Sequence, residues 1–279
     1  MTTTIAPRRI VRLIGVPTDV NSSFLRGPAA APPLVRAALH SPHANGCAEI
    51  GDAFGLDVRF EDSGDLPLAE ADTDRALIEA GVAAALAAGE MPFCIGGDHA
   101  ISYPAVKAVA AHVGPVDILH FDAHPDIYDD YEGNPWSHAS PFARILEAGL
   151  CKRLVQVGIR TMSPHLQDQV RKFGCVEVVA MRAFDPARVP VLEGPVYVSF
   201  DVDGLDPSVA PGVSHWEPGG LTVREAIAVL ERQTAPIVGA DLVEFNPVRD
   251  PTGVTAIVCA KMVREISALA ARNGAPAPR

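Results

Sequence analysis

The chain has few of the features that mark secreted, membrane or nucleic-acid-binding proteins. Its five cysteines (Cys47, Cys94, Cys151, Cys175 and Cys259) are odd in number, widely spaced and never arranged as CxxC. Neither a disulfide framework nor a thiolate zinc site is therefore expected, and Cys94 and Cys259 sit in apolar runs as core residues. No window of 18 residues is both apolar and uncharged, which argues against a helical membrane span. The N-terminal MTTTIAPRRIVRLIGVP has arginines without an adequate apolar stretch behind them, so no signal peptide is expected, and a cytoplasmic location follows as the expectation. Basic residues are also in deficit, with 23 Lys and Arg against 34 Asp and Glu and a formal charge of −11. That balance disfavours a nucleic-acid backbone as partner and leaves room for a small cationic one. Glycines (23) and prolines (25) are many, but they show no period that would suggest a repeat array.

What is present is an alternation of short β-branched runs and longer helical stretches. Strands are expected at Val11–Gly15, Met91–Ile95, Val116–Phe121, Arg153–Val157, Val176–Val179, Val196–Phe200 and Ile237–Ala240. Helices are expected at Asp72–Ala88, Ser102–His112, Ser137–Ala148, Ser163–Phe173, Thr222–Glu231 and Thr255–Ala270, with Phe60–Pro67 and Phe184–Pro195 as surface loops. Several strands are apolar almost throughout, as strands covered on both faces must be. The rhythm predicts an α/β protein with a mainly parallel sheet and helices on both faces, in one domain over residues 1–279. A β/α barrel is the alternative, since the rhythm alone does not decide whether the sheet closes.

Three of the apolar runs break abruptly into polar residues: FCIGGDHA (Phe93–Ala100), DILHFDAHPD (Asp117–Asp126) and VYVSFDVDGLDP (Val196–Pro207). In parallel α/β folds such residues converge at the carboxyl ends of the strands, where ligands bind. The middle segment offers Asp122, His124 and Asp126, the last Asp201 and Asp203, and the first His99. Burying so many charges singly would be severely unfavourable, so metal binding is the reading that accounts for them. Four carboxylates balance two divalent cations, and the mixed oxygen and nitrogen donors suit manganese, though cobalt, nickel or zinc would also fit. Asp98 either orients a ligand or accepts backbone hydrogen bonds in its Gly-Gly turn, and His120 is read as a core or ligand-supporting histidine.

Together these segments strongly resemble the ureohydrolase family of arginases, agmatinases and related guanidino-acid hydrolases, from IGVPTDVNSSFLRGP (Ile14–Pro28) through the three metal motifs to DLVEFNP (Asp241–Pro247). IYDDYEGNPWSHASPFARI (Ile127–Ile145) and PGVSHWEPGGL (Pro211–Leu221) look most like its plant branch. The resemblance implies a three-layer α/β/α sandwich of arginase-like fold, two manganese ions and a homo-oligomer, a trimer or hexamer. It implies His99, Asp122, Asp126 and Asp201 around one ion and Asp122, His124, Asp201 and Asp203 around the other. Glu244 would receive the substrate guanidinium, His138 would transfer a proton or position substrate, and Asp126 would join them in catalysis. Asn134, Ser137, Trp136 and Ser163 are the further substrate-binding candidates. Ser163 stands where animal-like arginases carry the acid that recognises the substrate's amino group, so agmatine is expected as substrate. Arginine and 4-guanidinobutyrate are the alternatives within the chemistry, and a noncatalytic metal-stabilised scaffold the alternative outside it.

Overall fold

In a computed structural model, residues 8–52, 54 and 56–275 are described. The first residues of the segment in which no signal peptide was read lie outside them. Eight strands form one sheet: β1 (Arg9–Val16), β2 (Val58–Asp65), β3 (Met91–Gly96), β4 (Val116–Phe121), β5 (Cys151–Ile159), β6 (Val176–Ala180), β7 (Val196–Asp201) and β8 (Ile237–Val243). The spatial order is β2-β1-β3-β8-β7-β4-β5-β6 and every neighbouring pair is parallel. The sheet is open, so the barrel alternative is excluded.

Parallel neighbours need helical crossovers, and these cover both faces. On one side α1 (Ala31–Leu39), α6 (Val223–Glu231) and α7 (Val254–Asn273) pack on Val11, Leu13, Phe93, Phe121, Val198 and Phe200. On the other, α2 (Asp74–Ala87), α3 (Ser102–Val113), α4 (Pro141–Glu147) and α5 (Pro164–Phe173) cover Ile14, Cys94, Ile118 and Tyr197. Alternate residues of each strand therefore serve opposite cores, and this is why the strands read as unbroken apolar runs. The three-layer α/β/α sandwich with a mainly parallel sheet is the fold expected from the sequence.

Two local expectations are corrected. Phe60–Pro67, expected as a loop, lies largely within β2, an edge strand that pairs only with β1. Its pairing runs through the backbone, and its exposed side chains (Arg59, Asp62, Ser63, Asp65) are those of an edge, which gives no alternation to read. The helix expected at Ser137–Ala148 begins only at Pro141, because Ser137–Ser140 are held as an irregular turn that presents His138.

Candidate metal centre and active site

The strands that end at the candidate site residues are separated in the chain yet adjacent in the sheet. β3, β8, β7 and β4 are its four central strands, and just at or beyond their carboxyl ends come His99, Glu244, Asp201 and Asp122. Close backbone approach there requires glycine. A Cβ on Gly97 would stand 1.6 Å from the Thr18 carbonyl oxygen, and one on Gly204 2.7 Å from the Asp122 nitrogen.

His99 is completely buried, with its Nδ1 3.2 Å from Asp122 Oδ2, 3.1 Å from Asp126 Oδ2 and 3.1 Å from Asp201 Oδ2. None of the three is a well-directed hydrogen bond, so this buried nitrogen has no hydrogen-bond partner among the described residues. Its other nitrogen, Nε2, lies 2.9 Å from Ser199 Oγ, and that hydroxyl donates to Asp241 Oδ1 at 2.7 Å. Ser199 thus accepts from Nε2–H, which turns the Nδ1 lone pair toward three carboxylate oxygens. Such an arrangement demands positive charge at that point. In the metal-free protein burial opposes it, but the carboxylates prevail and hold the His99 pKa well above its ordinary value.

A second group adjoins the first. His124 Nδ1 lies 3.3 Å from Asp122 Oδ1 and 3.2 Å from Asp203 Oδ2. Asp122 therefore turns one oxygen to each imidazole. Behind it His120, accepting from Gln156 Nε2 at 3.0 Å, donates Nε2–H to Asp122 Oδ2 at 2.8 Å. Burial resists charge on Asp122, yet His120, His124 and His99 keep its pKa well below the usual range. Burial and the neighbouring carboxylates push those of Asp201 and Asp203 up. A cluster of four buried aspartates and two histidines, with one orphaned imidazole nitrogen, fits a divalent-metal site in donor chemistry and charge. Such groupings of donors are the metal-binding site of a metal-dependent enzyme.

Asp98 takes the backbone role among its two expected ones, accepting from Asn21 N–H at 2.8 Å and Ala100 N–H at 3.1 Å. Glu244 Oε1 accepts from His99 N–H at 3.0 Å and from His138 Nδ1–H at 2.8 Å. His138 Nε2 receives the Ser23 N–H at 3.1 Å and lies 2.8 Å from Ser23 Oγ. Burial lowers the His138 pKa, but Glu244, Asp126 and Asp98 outweigh it and raise it to about 9. Asp126 and Glu244 adopt φ of 49° and 63°, in the left-handed region that side chains other than glycine avoid.

These groups surround a cavity of about 160 Å³, lined by Asp126, Asp201, Asp203, Glu244, His124 and His138 among others. Four expected substrate contacts are placed elsewhere. Trp136 packs against Tyr103 and beneath the Arg75 guanidinium, and its ring is absent from the cavity wall. Ser163 caps α5 by accepting from Leu166 N–H at 3.2 Å. Asn134 and Ser137 also lie outside the lining. Asn134 donates to Asn21 Oδ1 at 3.1 Å, and Ser137 Oγ accepts from Ala139 N–H at 3.2 Å, so both shape the loop carrying His138. Ser23, Tyr128, Tyr131, Thr161 and His215 line the cavity and were not singled out from sequence. They lie in loops with no diagnostic spacing. Ser199 and Asp241 were visible as polar residues inside apolar strands, a signal of a buried network.

Comparison with known proteins agrees with this geometry. A family model described as the arginase family matches residues 9–268. The chain is 48% identical over 274 residues to mitochondrial arginase 1 of Arabidopsis thaliana, covering 92% of this chain and 80% of that one. To the agmatinase of Bacillus anthracis it is 33% identical over 269 residues, covering 92% and 90%. The arginase from Medicago truncatula superposes with a TM-score of 0.88 at 44% identity, covering 94% of this chain and 88% of that one. The expectation of a cytoplasmic location is corrected here, because plant relatives of this similarity carry the names mitochondrial or chloroplastic/mitochondrial. No helix among the described residues is long and apolar enough to cross a membrane.

Proposed function

The chain belongs to the arginase family of metal-dependent ureohydrolases, and from that membership we propose that it hydrolyses L-arginine to urea and L-ornithine. Agmatine, the substrate expected from Ser163, is overturned by the sequence identities. Plant arginases match at 46–48% identity over 92% of the chain, against 33% for the Bacillus anthracis agmatinase. The identity to arginases carries the substrate assignment.

Two ions would be held by His99, Asp122, Asp126 and Asp201 on one side and by Asp122, His124, Asp201 and Asp203 on the other, with Asp122 and Asp201 shared. The donor set lacks thiolate and combines imidazole with carboxylate, which supports manganese. When bound, such ions supply a water nucleophile of lowered pKa and stabilise negative charge developing at the attacked carbon. The chain's own residues do the rest. Glu244 uses Oε1 within the protein, leaving Oε2 to accept guanidinium N–H groups and so orient the planar carbon. His138 donates its Nδ1–H to Glu244, accepts the Ser23 N–H at Nε2, and lines the same cavity. It is the group to protonate the departing amine. The same reading carries one catalytic unit per chain and a homo-oligomer, to be measured by light scattering.

The test is urea release by manganese-loaded protein from equal concentrations of L-arginine, agmatine and 4-guanidinobutyrate. The highest kcat/KM is expected for L-arginine. A preference for either of the other two would retain the chemistry and reject the substrate.

A further inference from the structure

We propose that Gln156 is a positioning residue for the metal centre: it sets the tautomer of His120 and, through that ring, the orientation of Asp122. The inference rests on the reading of Asp122 as the carboxylate that two ions would share. Gln156 stands on β5 directly opposite His120 of β4, and both side chains are completely buried. Neither is among the residues that line the cavity, so neither is placed to touch substrate.

The contacts between them admit one arrangement of protons. Gln156 Nε2 faces the Pro125 carbonyl at 2.5 Å and His120 Nδ1 at 3.0 Å. A carbonyl accepts and cannot donate, so the amide must turn its NH2 group to Pro125. The second hydrogen of that group then meets His120 Nδ1, which has to be the bare nitrogen. The ring proton is therefore on Nε2, and it is donated to Asp122 Oδ2 at 2.8 Å. The other end of the amide bears this out. Gln156 Oε1 is buried with no hydrogen-bond partner among the described residues. An acceptor is left in that state only where something else imposes the orientation, and here the two donations do.

The consequence falls on Asp122. Its Oδ1 accepts the His124 N–H at 2.6 Å and its Oδ2 the His120 Nε2–H. Each oxygen is thus held by one protein donor and keeps a lone pair for a cation, Oδ1 on the side of His124 and Oδ2 on the side of His99. His120 itself belongs to a grouping with His99 and Asp122 that could hold a cation. A proton on Nε2 makes it a donor to Asp122 and removes it from the ligand set. The ring is also fixed in place, with centroids 4.1 Å from Phe142 and 5.1 Å from His99. What remains free is the position of its proton, and Gln156 decides that.

The experiment compares wild-type protein with Gln156→Met, His120→Gln and the double variant. Methionine keeps the length of Gln156 without its donors. Glutamine at 120 offers an amide N–H in place of Nε2–H and has no tautomer to set. Manganese titration of metal-free protein gives the dissociation constants, nitrogen NMR of isotope-labelled histidine at slightly alkaline pH reads the tautomer, and the metal-free melting temperature reports folding. In wild type, His120 should show a protonated Nε2 and a bare Nδ1. Gln156→Met should raise Kd for both ions together by about ten- to a hundredfold, because Asp122 serves both. In the His120→Gln background the same change should alter Kd by less than about twofold. A wild-type His120 protonated at Nδ1, an unchanged Kd in Gln156→Met, or an equal loss in both backgrounds would overturn the inference. A lowered metal-free melting temperature with Kd unchanged would likewise reduce Gln156 to packing. Wild-type protein that binds no manganese would instead overturn the metal reading, and the His120 tautomer would still judge Gln156.

Discussion

Asp126 and Glu244 lie in a backbone region that costs of order 1–3 kcal/mol per residue outside glycine, and the surroundings impose it on both. Glu244 N–H is pinned to the Gly97 carbonyl at 2.8 Å, while the Asp126 carbonyl receives Phe142 N–H at 3.1 Å. The strain aims two carboxylates into one cavity. A similar economy governs His99, whose donor nitrogen is set by its other side through Ser199 and Asp241. Asp241 is saturated by three hydroxyls, those of Ser102 (2.7 Å), Tyr197 (2.8 Å) and Ser199 (2.7 Å). Ser199→Ala should weaken metal binding about ten- to a hundredfold, with folding retained. Titration of metal-free protein followed by metal analysis measures this directly, and wild-type affinity in the variant would remove Ser199 from the orienting chain. The candidate triplet of Asp122, His124 and Asp126 stood out because its spacing is unusual. The role of Ser199 was not, since a lone serine in a strand says nothing of which imidazole it meets.

At the scale of elements, legibility followed burial. β3, β4 and β7, buried along their length, were expected within one residue of their observed bounds. The edge strand β2 was not, and neither was α1, whose APPLVRAAL carries prolines in its first turn. Proline is compatible with a helix start, but two in succession also read as a loop. The helix α6 shows the opposite case. Thr222 caps it in a reciprocal arrangement with Glu225, whose side chain accepts the Thr222 N–H at 2.8 Å while Thr222 Oγ1 accepts the Glu225 N–H at 3.1 Å. Thr222→Ala should lower unfolding free energy by about 1 kcal/mol, read as a shift in urea midpoint at unchanged slope. No shift would mean that α6 is held by packing of Ile227 and Leu230 alone. Because the cap lies far from the ligands in the chain and on an exposed helix start, kcat should stay as in wild type.

For the whole molecule, the central fact is that four strand ends bearing site residues become neighbours only through the order β3-β8-β7-β4. Folding therefore gathers buried carboxylates that repel one another, as the raised pKa values of Asp201 and Asp203 record. Cations that bind the folded chain and not the unfolded one stabilise it by about 2.7 kcal/mol at a hundredfold excess over Kd. Stripping metal with a chelator should accordingly lower the melting temperature, and manganese should restore it in a concentration-dependent way. A melting temperature indifferent to both would show that the acidic cluster is accommodated without metal.

The sequence by itself determined the fold class, the family and the metal-ligand chemistry, because both-face burial writes apolar runs and a metal writes charges at their ends. It did not determine what Ser163, Trp136, Asn134 or Ser137 do. Their polar atoms and rings are equally suited to substrate, cap or loop, and only their neighbours in space chose between these. The tertiary structure also decided that the sheet stays open and that Tyr128 and Tyr131 stand in the cavity wall. Both depend on contacts between distant segments, whose energies no local spacing encodes.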